Sequence, residues 1–295
     1  MSAFETLRER LATQVSFLPD KPEENADSTL KALWCAAKGT PRSTQMAVRE
    51  EPTKLSSQQM QTLEALVARR IGGVPLAHLT GRQQFMGMEM LAGPEALVPR
   101  HETELLAGTA IRLVREALGA SATPTVIDVC TGSGNVALAV GHHVPAARVF
   151  AADLSDAAVD LARRNATHLG LADRVEFSVG DLLAPFDTAA FLGRVDVLTC
   201  NPPYITSSKV EHMPSEIAAH EPRLAFDGGA LGISILMRLI KDAPRFLRTG
   251  GWLAFEVGLG QGPGLVKRLS ATPSYKEVIA AQDEAGAVRV VAARC

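Results

Sequence analysis

An α/β fold is predicted for this 295-residue chain, with a mostly parallel sheet, an antiparallel hairpin at its end and a small helical domain in front. Three features predict it. After about residue 104, short apolar runs alternate with helix-patterned segments, as βαβ units do. Near the C-terminus, two apolar runs are joined only by Gln282-Asp283-Glu284-Ala285-Gly286, which reads as a hairpin at the sheet's edge. Before residue 80, apolar residues recur instead at helical spacing.

In chain order, Thr29-Leu30-Lys31-Ala32-Leu33-Trp34 suggests a helix, whereas 40–53 is polar, broken by prolines and without clear pattern. Ser56-Ser57-Gln58-Gln59 has the form of a capping box. Met60, Leu63, Val67 and Ile71 continue that helix until Gly72-Gly73 stops it. From Leu79 to Pro99, apolar runs interrupted by Gly81, Gly87 and Gly93-Pro94 suggest a hairpin-like connector. The chain thus divides into a helical domain (1–78), a connector (79–103) and a sheet domain (104–295). Strands are expected at 125–129, 148–152, 174–179, 195–200 and 252–257, with the terminal pair at about 275–281 and 287–293.

Apolar content of 46% and charged content of 21% fit a soluble globular protein. The net charge of −2 gives no global basic field, which weighs against a nucleic-acid partner. Cys35, Cys130, Cys200 and Cys295 are scattered, so no metal site is expected; Cys130 and Cys200 lie in apolar runs and read as buried thiols of a reducing compartment. The charged N-terminus lacks a secretory h-region and no apolar stretch would span a bilayer, so a cytoplasmic protein with no membrane partner is expected.

The run ending at Val129 leads into Cys130-Thr131-Gly132-Ser133-Gly134-Asn135-Val136-Ala137, a Gly-x-Gly-x-x-Ala loop opening a helix. Such a loop allows a tight turn and close approach of a ligand to the backbone, and it suits NAD, FAD or S-adenosylmethionine. Asp153 ends the next strand, where a carboxylate can accept both hydroxyl hydrogens of a ribose; Ser155 or Asp156 could cap the helix that follows. Asp181, after the third strand, could accept from an adenine amino group.

Asn201-Pro202-Pro203-Tyr204 follows the fourth strand directly. Two prolines end sheet pairing there and stiffen the backbone. The Asn201 side-chain oxygen and the Pro202 carbonyl can accept the two hydrogens of a planar NH₂ group, while the Tyr204 ring covers its face. The motif offers no surface for nicotinamide. Methyl transfer to a planar nitrogen needs what it provides, because two such hydrogen bonds localise a delocalised lone pair and disperse the charge that develops. S-adenosylmethionine is therefore the expected cofactor. The acceptor could be an amide, an exocyclic amine of a nucleobase or a small-molecule amine.

These residues resemble the HemK-like protein-(glutamine-N5) methyltransferases, especially the branch acting on peptide chain release factors. The likeness extends to Gly73-Val74-Pro75-Leu76-Ala77-His78-Leu79-Thr80-Gly81, to 96–104 (Ala-Leu-Val-Pro-Arg-His-Glu-Thr-Glu), to 221–229 (Glu-Pro-Arg-Leu-Ala-Phe-Asp-Gly-Gly) and to 256–261. The first 50 residues match only in being helical. The resemblance implies a Rossmann-like S-adenosylmethionine-dependent methyltransferase domain behind a helical domain that helps grip the substrate. It implies Thr131, Gly132, Gly134, Asp153, Asp181 and Asn201 on the cofactor side. Asn201, Pro202, Pro203, Tyr204 and Arg100 fall on the acceptor side, with Glu102-Thr103 near the entrance, while Glu256 could instead cap its loop. The implied acceptor is a glutamine amide of a release factor, or else of a ribosomal protein. At Val129 and Cys130 the family usually shows leucine and glycine.

Overall fold

The computed structural model describes residues 3–18, 20–213, 215–229 and 232–295. The chain forms two compact units: Met1–His101 with Met213–Pro222, and Glu102–His212 with Arg223–Cys295.

The first unit holds helices α1 (Ala3–Gln14), α2 (Ala26–Lys38), α3 (Thr44–Ala47), α4 (Ser57–Ile71) and α5 (Leu76–Thr80). The α2 helix is longer than its apolar pattern because Asn25 caps it, accepting from the backbone N–H of Asp27 and Ser28. The expected capping box opens α4: Ser56 Oγ accepts from Gln59 N–H and Gln59 Oε1 accepts from Ser56 N–H. The α3 helix falls in the stretch without pattern, since four residues are too few to show a period. Strands β1 (Arg82–Phe85) and β2 (Met88–Leu91) pair as an antiparallel hairpin within the expected connector. Leu11, Leu30, Leu33, Trp34, Leu63 and Val67 form the apolar core of this unit.

The second unit is built on seven strands: β3 (Thr125–Val129), β4 (Arg148–Asp153), β5 (Val175–Val179), β6 (Val195–Cys200), β7 (Leu247–Glu256), β8 (Glu277–Gln282) and β9 (Val288–Arg294). Their order is β5-β4-β3-β6-β7-β9-β8. The first five are parallel, and β9 runs antiparallel to both β7 and β8, as the alternation and the terminal hairpin predict. Helix α6 (Thr103–Ala117) precedes β3, while α7 (Asn135–His143) connects β3 to β4 and α8 (Asp156–His168) connects β4 to β5.

The β7 strand starts five residues before the expected position. Its register with β6 shifts between Val195 and Val197, where Gly250-Gly251 lies opposite, so the apolar pattern breaks although the strand continues. Ile127, Val129, Leu198, Leu253 and Phe255 from neighbouring strands pack with Leu236, Leu239 and Phe246 into one core.

The chain winds outward from β3 through β4 to β5, then returns to lay β6 on the other side of β3. A crevice opens outside the C-terminal ends of strands at such a reversal. The glycine loop after β3 and the Asn-Pro-Pro-Tyr motif after β6 leave the sheet on either side of it.

Candidate active site

Asp128, in β3, is 1% exposed and holds the start of the glycine loop. It accepts from Thr131 Oγ1 at 2.5 Å and from Thr199 Oγ1, on β6, at 2.6 Å. Burial pushes its pKa up to about 6, against the pull of these two hydroxyl donors. The Thr131 side chain is therefore turned inward and buried. Gly134 opens α7 at φ +83, and a Cβ there would lie 3.1 Å from Ala162, Leu138 and Phe177. Lacking one, the N-terminus of α7 seats closely against α8 and β5. Cys130, just before Thr131, has a left-handed φ of 56.

Gly132 N–H donates to Asp153 Oδ2 at 2.9 Å, while Asp153 Oδ1 accepts from Ser155 N–H at 3.0 Å. Burial raises the pKa of Asp153 and these backbone donors oppose the rise. Ser155 caps α8 by accepting from Ala158 N–H, which leaves Asp153 free of that duty. Each carboxylate oxygen keeps acceptor capacity, and the space where a Gly132 Cβ would sit is open. These are the features a ribose diol and a nucleoside beside the backbone require. Asp181 is half exposed and paired with Arg238 at 2.6 Å, next to Gly180, whose N–H donates to the Asp153 carbonyl.

At the end of β6, Pro202 and Pro203 are buried, whereas Asn201 and Tyr204 are partly exposed. Asn201 Nδ2 donates to Thr103 Oγ1, at the start of α6, over 3.1 Å. Tyr204 Oη donates to Glu256 Oε1 at 2.9 Å, and the Tyr204 carbonyl accepts from Gln261 Nε2 at 3.1 Å. Past the motif, Ile205 N–H donates to the Phe226 carbonyl and Gly228 N–H to the Ile205 carbonyl. This lays 226–228 along the motif so closely that a Cβ on Gly228 would come within 2.4 Å of the Pro203 carbonyl oxygen.

Glu256 ends β7 at 1% exposure. Burial pushes its pKa up to about 7; the Thr103 and Tyr204 hydroxyls and Arg289 oppose the rise, and Glu102 adds to it. Arg289, on β9, places Nη2 at 3.9 Å from both Glu102 and Glu256. The Tyr204 pKa lies well above the usual phenol value, chiefly through burial and then through the Glu256 charge.

Gly132 and Asp153 are thus brought into contact, and Asn201 and Tyr204 share one polar cluster. Arg100 lies in the first unit, buried in an ion pair with Glu221 at 2.7 Å, and Glu221 also accepts from Val98 N–H. Motif reading did not single out Thr199 or Arg289, and it took Asp128 and Gln261 only as members of motif segments, without a role. Arg289 carried one usable signal, a charge inside an otherwise apolar strand. Among the described residues, no His, Cys, Asp and Glu group could hold a metal ion.

Residues 104–234 match the family model described as the methyltransferase small domain, and residues 9–81 match the PrmC N-terminal domain. The second match corrects the expectation that the first 50 residues resemble the family only in being helical. A release factor glutamine methyltransferase of Geobacter sulfurreducens is 34% identical over 289 residues, covering 98% of this chain and 96% of that one. Another, from Moorella thermoacetica, is 39% identical over 220 residues and 75% of each chain. Among solved structures, the hMettl16 catalytic domain in complex with a MAT2A 3′UTR hairpin aligns with a TM-score of 0.54 and 17% identity. That alignment covers 77% of this chain and 81% of the other, and the likeness is one of fold.

Proposed function

The chain belongs to the release factor glutamine methyltransferase family, and from that premise we propose that its Asn201-Pro202-Pro203-Tyr204 motif holds the side-chain amide of a glutamine in a peptide chain release factor while the nitrogen is methylated. The enzyme is an S-adenosylmethionine-dependent methyltransferase. When bound, that cofactor supplies an electrophilic methyl group on a sulfonium sulfur. Asp153 would accept the ribose hydroxyls, the backbone at Thr131, Gly132 and Gly134 would flank the cofactor, and Asp181, paired with Arg238 in this structure, would lie on the adenine side.

The observation that carries the acceptor reading is the hydrogen bond from Asn201 Nδ2 to Thr103. With its amino end committed, Asn201 presents Oδ1, an acceptor, to an incoming amide. One amide hydrogen goes to Asn201 Oδ1, the other to the Pro202 carbonyl, and the Tyr204 ring covers the plane. An amide nitrogen is a poor nucleophile, and these two bonds localise its lone pair and share the positive charge that develops. Pro203 keeps the turn rigid. Arg100 contributes to recognition of the protein substrate in this reading, supported by the resemblance of segment 96–104. So does the helical domain (1–78), as the part that grips the protein substrate. A translation factor as substrate also favours a cytoplasmic location.

The test is incubation with labelled S-adenosylmethionine and, separately, release factor, ribosomal subunits and DNA, followed by mapping of the methyl group by mass spectrometry. Label on a release-factor glutamine is expected. Transfer to DNA with none to protein overturns the reading, and transfer to a ribosomal protein alone replaces the substrate.

A further inference from the structure

A carboxamide can sit in two orientations, and only one of them lets Asn201 accept from an acceptor amide. Flipped, its NH₂ would face the substrate NH₂, donor against donor. Whatever meets the other end of the group decides between the two. Asn201 Nδ2 meets Thr103 Oγ1 at 3.1 Å. A hydroxyl is both donor and acceptor, so Thr103 alone would tolerate either orientation.

The choice passes to what Thr103 itself faces. Its hydroxyl stands beside the Glu256 carboxylate and pulls that group's pKa back down. Glu256 is 1% exposed, and its Oε1 receives the Tyr204 hydroxyl at 2.9 Å. Its Oε2 is buried with no formed hydrogen bond, and Thr103 and Arg289 are the donors that act on the carboxylate besides Tyr204. An ionised carboxylate only accepts.

We propose that ionised Glu256 is a positioning residue for methyl transfer: by drawing the Thr103 hydroxyl hydrogen it makes Thr103 Oγ1 accept from Asn201 Nδ2, which turns Asn201 Oδ1 toward the acceptor amide, and by accepting from Tyr204 it holds the ring beside that amide. This rests on the reading of Asn201 as the acceptor clamp.

The groups facing Glu256 are Tyr204 beyond β6, Glu102 and Thr103 at the start of α6, and Arg289 on β9. Arg289 favours ionisation, whereas burial and Glu102 oppose it. The balance puts the carboxylate's midpoint at about 7, so kcat rises with pH through that region. Glu256→Gln keeps the shape but presents an NH₂ group. Where that NH₂ meets Thr103, the hydroxyl reverses and Asn201 flips.

The experiment measures kcat, KM for release factor and cofactor Kd against pH for the wild type, Glu256→Gln, Thr103→Val, Thr103→Ser and Asn201→Ala. Glu256→Gln and Thr103→Val are each expected to lower kcat by about tenfold or more with cofactor Kd within about twofold. Glu256→Gln also loses the acid limb of the kcat profile, and Thr103→Ser, which keeps the hydroxyl, restores activity. Near-wild-type kcat and an unchanged acid limb in Glu256→Gln overturn the proposal. Asn201→Ala separates the two levels. If it retains turnover, the clamp itself is wrong; if it is inactive while Glu256→Gln and Thr103→Val are normal, only the positioning role fails.

Discussion

Arg70 Nη1 and Glu216 Oε2 meet at 2.8 Å across 146 residues of sequence, with the Arg70 side chain 1% exposed. The other Glu216 oxygen takes Lys21 at 2.9 Å, and Arg70 also reaches Glu24 at 3.1 Å. Two cations and two carboxylates thus neutralise one another away from water. Glu216 arrives on 213–222, a segment that follows the Asn-Pro-Pro-Tyr motif in sequence but belongs to the first unit. Burial alone would raise its pKa, but Lys21 and Arg70 outweigh burial and hold it below the usual value. For Glu24 burial prevails and the pKa is raised.

Glu216→Ala should therefore destabilise the first unit by about 3–5 kcal/mol, because it strands Lys21 and Arg70 in the interior. Denaturant unfolding followed by Trp34 fluorescence, with Trp252 replaced by Phe, reads this unit. Since the folded pKa lies below the unfolded one, the Glu216 contribution is complete above the ordinary carboxylate range. It fades as pH falls through the lowered value. The variant should lose that acid-side slope.

Cys130, where the resemblance implies glycine, holds a left-handed backbone. A side chain there costs about 1–2 kcal/mol, and glycine gives back about 0.5–1 kcal/mol through unfolded-state entropy. Cys130→Gly should raise stability by up to about 1 kcal/mol, checked by calorimetry, with cofactor affinity retained. A drop in melting temperature would show that the thiol's packing outweighs the strain.

Glu256→Gln should separate activity from stability. The folded pKa of Glu256 is raised from 4.5 to about 7. Its stabilising contribution is thus complete below the unfolded value and is lost as pH rises through 7. Above that pH the wild type keeps a buried charge that glutamine removes. The variant should be more stable at alkaline pH by up to about 3 kcal/mol, and the gap should close toward acid. Paired melts at two pH values measure this.

Gly228→Ala presses a methyl group against the Pro203 carbonyl, and neither backbone has a flexible end to yield. A cost of about 1–3 kcal/mol and a kcat loss of more than about tenfold are expected. Single-turnover kinetics with release factor reads the second effect apart from binding.

Asp153→Ala removes both acceptors that face Gly132 and Ser155. Cofactor Kd should rise by about tenfold or more, measured by calorimetric titration, with turnover largely recovered at saturating cofactor.

What could be read in advance was local. The β3, β4 and β6 strands are short apolar runs, the glycine loop and the Asn-Pro-Pro-Tyr motif are contiguous, and the capping box at Ser56 spans four residues. The α3 helix was too short to announce itself. The start of β7 was hidden by a glycine pair that resembles a turn but is carried through a register shift against β6.

The polar contacts around the motif left no such trace. Thr103, Asn201, Tyr204, Glu256 and Arg289 come from the ends or interiors of separate elements, and hydrogen bonding between side chains has no period along the chain. The same holds for Asp128 with Thr199 and for Arg70 with Glu216. The α/β class, the glycine loop and the Asn-Pro-Pro-Tyr motif are legible along the chain, because hydrophobic periodicity and turn chemistry are written in neighbouring positions. Which end of Asn201 meets Thr103, and which buried carboxylate takes the Tyr204 hydroxyl, appear in the fold alone. Those depend on donors and acceptors that meet only after the sheet has ordered its strands.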